Sequence, residues 1–128
     1  MNPNSQSLIV AGALLAFLGV GLGAFGAHAL KARLAPDLLA VYHTGVQYHL
    51  WHALGIVLIG LLVQSLPGQK LLPIAGWLMV AGIILFSGSL YALSISGVRA
   101  LGAVTPIGGV AFLASWAMVA WSAWQART

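Results

Sequence analysis

Leu8–Leu30 reads LIVAGALLAFLGVGLGAFGAHAL, twenty-three residues without a charged side chain. At ~1.5 Å per helical residue this covers the ~30 Å hydrocarbon core of a bilayer, where a backbone must close its hydrogen bonds within its own segment. The stretch therefore reads as a transmembrane helix. Gly45–Leu66, Leu72–Ile95 and Leu101–Trp124 have the same character and similar length. The composition agrees: of 128 residues, 61% are hydrophobic and 5% charged, against roughly 25% charged in soluble domains. Residues 1–128 are thus expected to form one all-α, integral membrane domain, an antiparallel four-transmembrane-helix bundle with both termini on one side.

The basic residues Lys31, Arg33, Lys70, Arg99 and Arg127 outnumber the single acid, Asp37, but stand apart from one another. They read as helix-end anchors at lipid headgroups and offer no nucleic-acid surface. Three lie at one membrane face and two at the other, too even a split to set an orientation. The absence of cysteine excludes disulfides, thiolate metal sites and iron–sulfur ligation. Ala27-His28-Ala29 has the form of a signal cleavage site, but no basic side chain precedes Leu8 and the apolar run exceeds an ordinary signal core. The first segment is read as retained.

In that segment Gly12, Ala16, Gly19, Gly23 and Gly26 recur at spacings of four and three, which places them on one stripe. Such stripes let helices pack closely in lipid. The stripe is read as a packing face, its partner being another helix of the chain or a second subunit.

Pro36 and Asp37 restart the chain after the first span, proline in a first-turn position and the carboxylate at the positive helix end. A helix continuous from Pro36 to Leu66 would measure ~45 Å, so either a bend or a strong tilt is expected, with residues 36–44 the candidate interfacial helix before a bend at Gly45. Pro67-Gly68 marks a turn. Ser87 and Ser89 in the third span are read as bonding to carbonyls of their own helix. The fourth helix starts near Leu101 or at Pro106, where Thr105-Pro106 has the form of an N-cap and first-position pair. Trp77, Trp121 and Trp124 form an aromatic belt at the terminal face.

With alternating spans, all four histidines fall at the face away from the termini. His49 and His52, three apart on one helix, with His28 from the first span, are the candidate metal ligands. The middle of each span lacks ionisable side chains, against a proton or ion path. No nucleophile stands beside a base in a recognisable motif, so no catalytic residue and no cofactor are assigned. His28, Tyr48, His52 and Arg99 are expected to turn inward as a hydrogen-bonded polar pocket capped by Pro36–Thr44.

Four blocks, LGAFGAHAL (Leu22–Leu30), TGVQYHLWHALG (Thr44–Gly55), LFSGSLYAL (Leu85–Leu93) and TPIGG (Thr105–Gly109), resemble the small membrane proteins of domain-of-unknown-function family 423, the YgdD/YwdK type. The resemblance covers nearly the whole chain and implies a four-span protein of the bacterial inner or plasma membrane. It brings no established activity. The expected role is that of a non-enzymatic accessory or scaffold protein, with membrane lipids as partners and a homo-oligomer or larger membrane complex formed through the glycine faces. The alternative is a metal- or small-molecule-binding component, or an oligomeric transporter subunit, using the His28/His49/His52 region.

Overall fold

Four long helices, each apolar enough to cross a membrane, make up the computed structural model, which describes residues 1–126. They are α1 (Pro3–Phe25), α2 (Pro36–Ser65), α3 (Leu71–Ser96) and α4 (Thr105–Gln125). A π-helical turn, Gly26–Leu30, continues α1, and a 3-10 turn, Arg99–Ala103, precedes α4. No strand occurs among the described residues. Arg127, assigned above to the terminal face, lies outside them.

The ends follow local chemistry. Asn2 accepts a hydrogen bond from the Asn4 N–H at 2.8 Å and Pro3 opens α1, an ordinary cap. Pro36 opens α2, and Leu66-Pro67-Gly68 ends it in a turn closed by Gln69 N–H to the Leu66 carbonyl. Gly97 terminates α3 at φ 74°, a left-handed conformation glycine adopts without a Cβ penalty, and its N–H bonds to the Leu93 carbonyl. Residues 36–44 are not a separate interfacial helix: α2 runs unbroken from Pro36 to Ser65. Gly45 makes no break because it serves as a contact, lying beneath the Tyr91 ring and Leu90. The fourth helix proper starts at Thr105, but Thr105 does not cap it. Its hydroxyl lies 2.6 Å from that of Ser89 on α3, so the side chain joins two helices.

Each helix packs on the next in sequence, and α1 also touches α3. Half of the apolar window of α2 is buried, against 17% of that of α1. The bundle therefore has an inner pair, α2 and α3, and an outer pair, α1 and α4. Its main core joins Leu8, Ile56, Ile59, Leu72, Met79, Ile83 and Phe112. Phe17 and Leu113, at 80% and 72% exposure, belong to faces that meet lipid.

The small-residue stripe of α1 is the α1–α2 seam. Gly12 lies against Ala53 and Val57, Gly19 against His49 and Leu50, Gly23 against Val46, and Gly26 against the Tyr42 ring. Ala16 is partly buried and packs on the core beside them. Within the chain, the partner of the stripe is α2. A Cβ at Gly12 would fall 2.9 Å from the Ala53 carbonyl oxygen and the Val57 nitrogen. Backbone atoms cannot step aside, so the helices would have to separate.

Gly12→Ala is expected to destabilise by about 1–3 kcal/mol through overpacking. Gly21→Ala, where an added Cβ meets nothing within 4 Å, should be neutral or gain from helix propensity. Thermal unfolding in detergent compares them, and equal effects would contradict the seam. Since the chain has no native cysteine, single cysteines near the N-terminus, at Ala35 and at Gln125 can be labelled from either side of sealed vesicles. Ser5 is buried, so its exposed neighbour Asn4 takes the N-terminal label in its place; Asn4 and Gln125 should react from one side and Ala35 from the other.

Candidate binding cleft

Tyr42, Gly45, His49 and His52 recur at three and four residues along α2, so they share its buried stripe. Polar groups on such a stripe are costly in a membrane unless paired, and each finds a partner on a neighbouring helix or in its own. The Tyr42 hydroxyl donates to the Leu22 carbonyl at 2.6 Å, where α1 passes into its π-helical turn. Ser87 donates across to the Gly45 carbonyl at 2.7 Å. Self-bonding therefore fails for Ser87, because α2 brings a closer acceptor; Ser89 does bond within its helix, to Phe86.

His49 reaches α1 and α3 together. Its Nε2 is 2.7 Å from the Leu15 carbonyl and its Nδ1 is 2.8 Å from the Tyr91 hydroxyl. A carbonyl only accepts, so Nε2 carries the hydrogen and Nδ1 accepts from Tyr91. His52 has the opposite arrangement. Its Nδ1 is 2.7 Å from the Tyr48 carbonyl, while the Trp116 indole N–H of α4 donates to Nε2 at 3.1 Å. Indole has no acceptor, which fixes His52 as the neutral ring with hydrogen on Nδ1.

His52 also belongs to an aromatic assembly. Phe112 stacks on it at 3.6 Å between centroids and 10° between planes, and the Tyr48 ring is nearly parallel to both, within 15°. Phe86 of α3 leans on Tyr48 at 4.6 Å. These rings wall a cleft of about 500 Å³ between α2, α3 and α4, completed by Pro106, Gly109, Val110, Leu113 and Trp116. Val110 and Leu113 are exposed, so the cleft opens sideways toward lipid. Grooves of about 500 and 550 Å³ lie on the outer faces of α1 and α4, and a smaller cavity of about 240 Å³ lies between α1 and α3 over His49 and Tyr91.

The expected four-residue polar pocket does not assemble. Tyr48 and His52 come together, but His28 is exposed on the π-helical turn. Arg99 is exposed as well, pairing with Asp37 at 3.0 Å. A carboxylate on the first turn of α2, beside the connector to α4, gives that guanidinium an outward partner. The Pro36–Thr44 segment packs on α1 through Tyr42 and caps nothing. His28, His49 and His52 likewise form no ligand set: His28 points away, and both nitrogens of the other two are engaged. No group of three His or acidic side chains suited to a metal occurs among the described residues. Phe86, Gly109, Phe112 and Trp116 escaped the sequence reading. Only the four-residue spacing of Phe112 and Trp116, which sets both on one face of α4, hinted at them.

A family model described as "Protein of unknown function (DUF423)" matches residues 22–109. The chain belongs to this family. It is 55% identical over 111 residues to the UPF0382 membrane protein YwdK of Bacillus subtilis (strain 168), covering 87% of this chain and 90% of that protein. It is 42% identical over 113 residues to the UPF0382 membrane protein SH2409 of Staphylococcus haemolyticus (strain JCSC1435), covering 87% and 89%. No solved structure matches. The family's description assigns no reaction. Together with the four apolar spans, these relatives make this a multi-pass membrane protein of the bacterial plasma membrane. The matched region holds Tyr48, His49, His52, Phe86, Tyr91, Pro106 and Gly109, whereas Phe112 and Trp116 lie just beyond it.

The two histidines of α2 should be distinguishable directly. Nitrogen NMR of ring-labelled protein in lipid nanodiscs is expected to show His49 with hydrogen on Nε2 and His52 with hydrogen on Nδ1. Trp116→Phe should alter the His52 pattern and leave that of His49. Identical forms at both positions would contradict the network.

Proposed function

We propose that the protein is a non-enzymatic binding component of the membrane, one that holds a neutral lipophilic molecule in the cleft between α2 and α4. The observation carrying this reading is the cleft itself, about 500 Å³ in volume, walled by aromatic rings and lined by no charged residue. Grooves of like volume lie on single faces of α1 and α4, so the lining drawn from three helices distinguishes this cleft, not its size. An ionic guest would enter without a counter-charge, at a high desolvation cost. Catalysis has little support among the serines and histidines of the spans. Ser87, Ser89, Ser94 and Ser115 each donate to a backbone carbonyl, and the histidine nitrogens are tied up as described. A scaffold role through glycine faces loses its clearest surface, since the α1 stripe is covered by α2. Binding from the lipid phase is the reading that remains, with membrane lipids and lipid-soluble compounds as the pool of ligands.

Gly109 provides the test. A Cβ placed there comes no closer than 3.9 Å to the Phe86 ring, so a larger side chain can grow into the cleft without displacing backbone. Wild type and Gly109→Leu would be purified from membranes and extracted, and the co-purifying neutral lipophiles quantified by mass spectrometry. Wild type should carry a defined compound near one per chain. The variant should carry at least about tenfold less, a modest loss of binding free energy, while keeping its unfolding temperature. Equal content in both proteins would overturn the reading. Leu113→Trp, which narrows the mouth, gives a second substitution should Gly109→Leu fold poorly.

A further inference from the structure

The outward face of α2 carries an unpaired amide. Thr44, Gln47, Trp51, Leu54, Leu58 and Leu61 are all exposed and recur at alternating spacings of three and four, so they form one stripe along the helix. Thr44 donates to the Ala40 carbonyl, and His49 and His52 hold the partners described above. The Gln47 carboxamide, with two N–H donors and an acceptor oxygen, has no hydrogen-bond partner among the described residues.

That amide lies at hydrocarbon depth. Val46, its neighbour in the chain, packs on Gly23 of α1. From Gly23 to Lys31, at the headgroups, α1 and its continuation run on for ~12 Å without a charge. On α3, Ser87 meets the Gly45 carbonyl, while the exposed Ile95 lies further still toward the same end. On α4, Ile107 and Val110 expose hydrocarbon on either side of the contact between Gly108 and Phe86. A side chain of two methylenes and an amide does not reach headgroups ~12 Å away, so Gln47 cannot snorkel as lysine or arginine does. An unpaired amide facing lipid is costly, and such groups join membrane helices to one another.

A second copy supplies the match. Copies inserted with the same topology, and related by a two-fold axis along the bilayer normal, set each residue near that axis opposite itself at equal depth. A carboxamide both donates and accepts, so Gln47 satisfies Gln47. An unrelated protein would have to present a polar side chain at that same depth, whereas a copy does so by symmetry. The spacing of three and four is that of a two-stranded helical seam, where one polar position fixes register and the number of strands. Leu54, Leu58 and Leu61 provide its apolar remainder. Going beyond the cleft, we infer that α2 is a self-association face: two copies pack α2 against α2 along residues 44–61, with the Gln47 carboxamides hydrogen-bonded across the two-fold axis.

Two measurements on the full chain test this. Single cysteines at Thr44, Leu54 or Leu58, with Gln47 in place, are oxidised by copper phenanthroline in native membranes, beside Phe17→Cys and Leu113→Cys on the exposed faces of α1 and α4. The α2 positions should give disulfide-linked dimers of twice the chain's mass, well above the two controls. In liposomes, energy transfer between copies labelled at Asn4→Cys is then followed on dilution with lipid. Gln47→Leu should raise the dissociation constant about three- to thirtyfold, the range for a polar contact between membrane helices. Gln47→Asn, which keeps the carboxamide, should recover most of that loss. Because Gln47 is exposed, both variants should keep the helical content of wild type. Bridging at Phe17 or Leu113 equal to that on α2, bridges only to a protein of another mass, or a dissociation constant indifferent to Gln47→Leu would each overturn the proposal. So would a chain that stays monomeric at every lipid ratio.

Discussion

His49 is a histidine within a membrane span whose two nitrogens tie together helices on either side of its own. In hydrocarbon, an imidazole without partners would be expensive. With Leu15 of α1 at one nitrogen and Tyr91 of α3 at the other, the same ring becomes a fixed crosspiece. Tyr42 to Leu22 and Ser87 to Gly45 repeat the device two turns and one turn earlier along α2. Helices in lipid gain nothing from excluding water, so close contact and such bonds must hold them. The glycines bring the backbones near enough for the bonds to form, and the bonds set how the glycines register. The polar stripe of α2 meets the small stripe of α1 through Tyr42 and His49, and reaches α3 and α4 through Gly45, His49 and His52.

Much of this was legible in the chain. Uncharged runs near twenty residues dictate four spans, and Pro67-Gly68 and the prolines at 36 and 106 mark their ends. The stripe at Gly12–Gly26 was recognisable as a packing face from spacing alone. What faces it was not, because periodicity fixes which residues share a side of a helix and leaves open which helix lies there. The same limit explains the site. His28 and Arg99 do lie at one end of the bundle, but the unbroken run of α2 from Pro36 to Ser65 sets Tyr48 and His52 near its middle, and depth along a helix says nothing about rotation around it. Rotation sends Arg99 out to Asp37 and His28 to the surface, and turns His52 toward α4. The aromatic wall drew on Phe86, Phe112 and Trp116, ordinary apolar residues until the lateral order of helices is known.

That lateral order also distributes the two histidines. His49 and His52 are three apart, about 300° around an α-helix at 3.6 residues per turn, so they diverge by roughly 60° and address different neighbours. His49 lies toward α1 and α3, His52 toward α4. One ring is enclosed by the inner seam and acts as structure. The other sits where an outer helix meets the inner pair, and its stacking partner Phe112 comes from that outer helix. The difference in role follows from the difference in company.

The adjacent glycines of α4 show why the cleft is more than imperfect packing. At Gly108 a Cβ would run into the backbone of Phe86, so glycine is what lets α4 close on α3 at that level. One residue later, Gly109 has no such obligation, since the nearest atoms to its added Cβ are at 3.9 Å. Interiors are ordinarily filled to near crystalline density, and alanine or leucine at that position would fill this one while strengthening the helix. The chain therefore carries a helix-weakening residue where packing does not ask for it, beside a stacked wall whose polar atoms are satisfied apart from the Tyr48 hydroxyl. The space beside Gly109, on the lipid-facing side of an otherwise close seam, is what the proposed binding of a lipophilic guest would use.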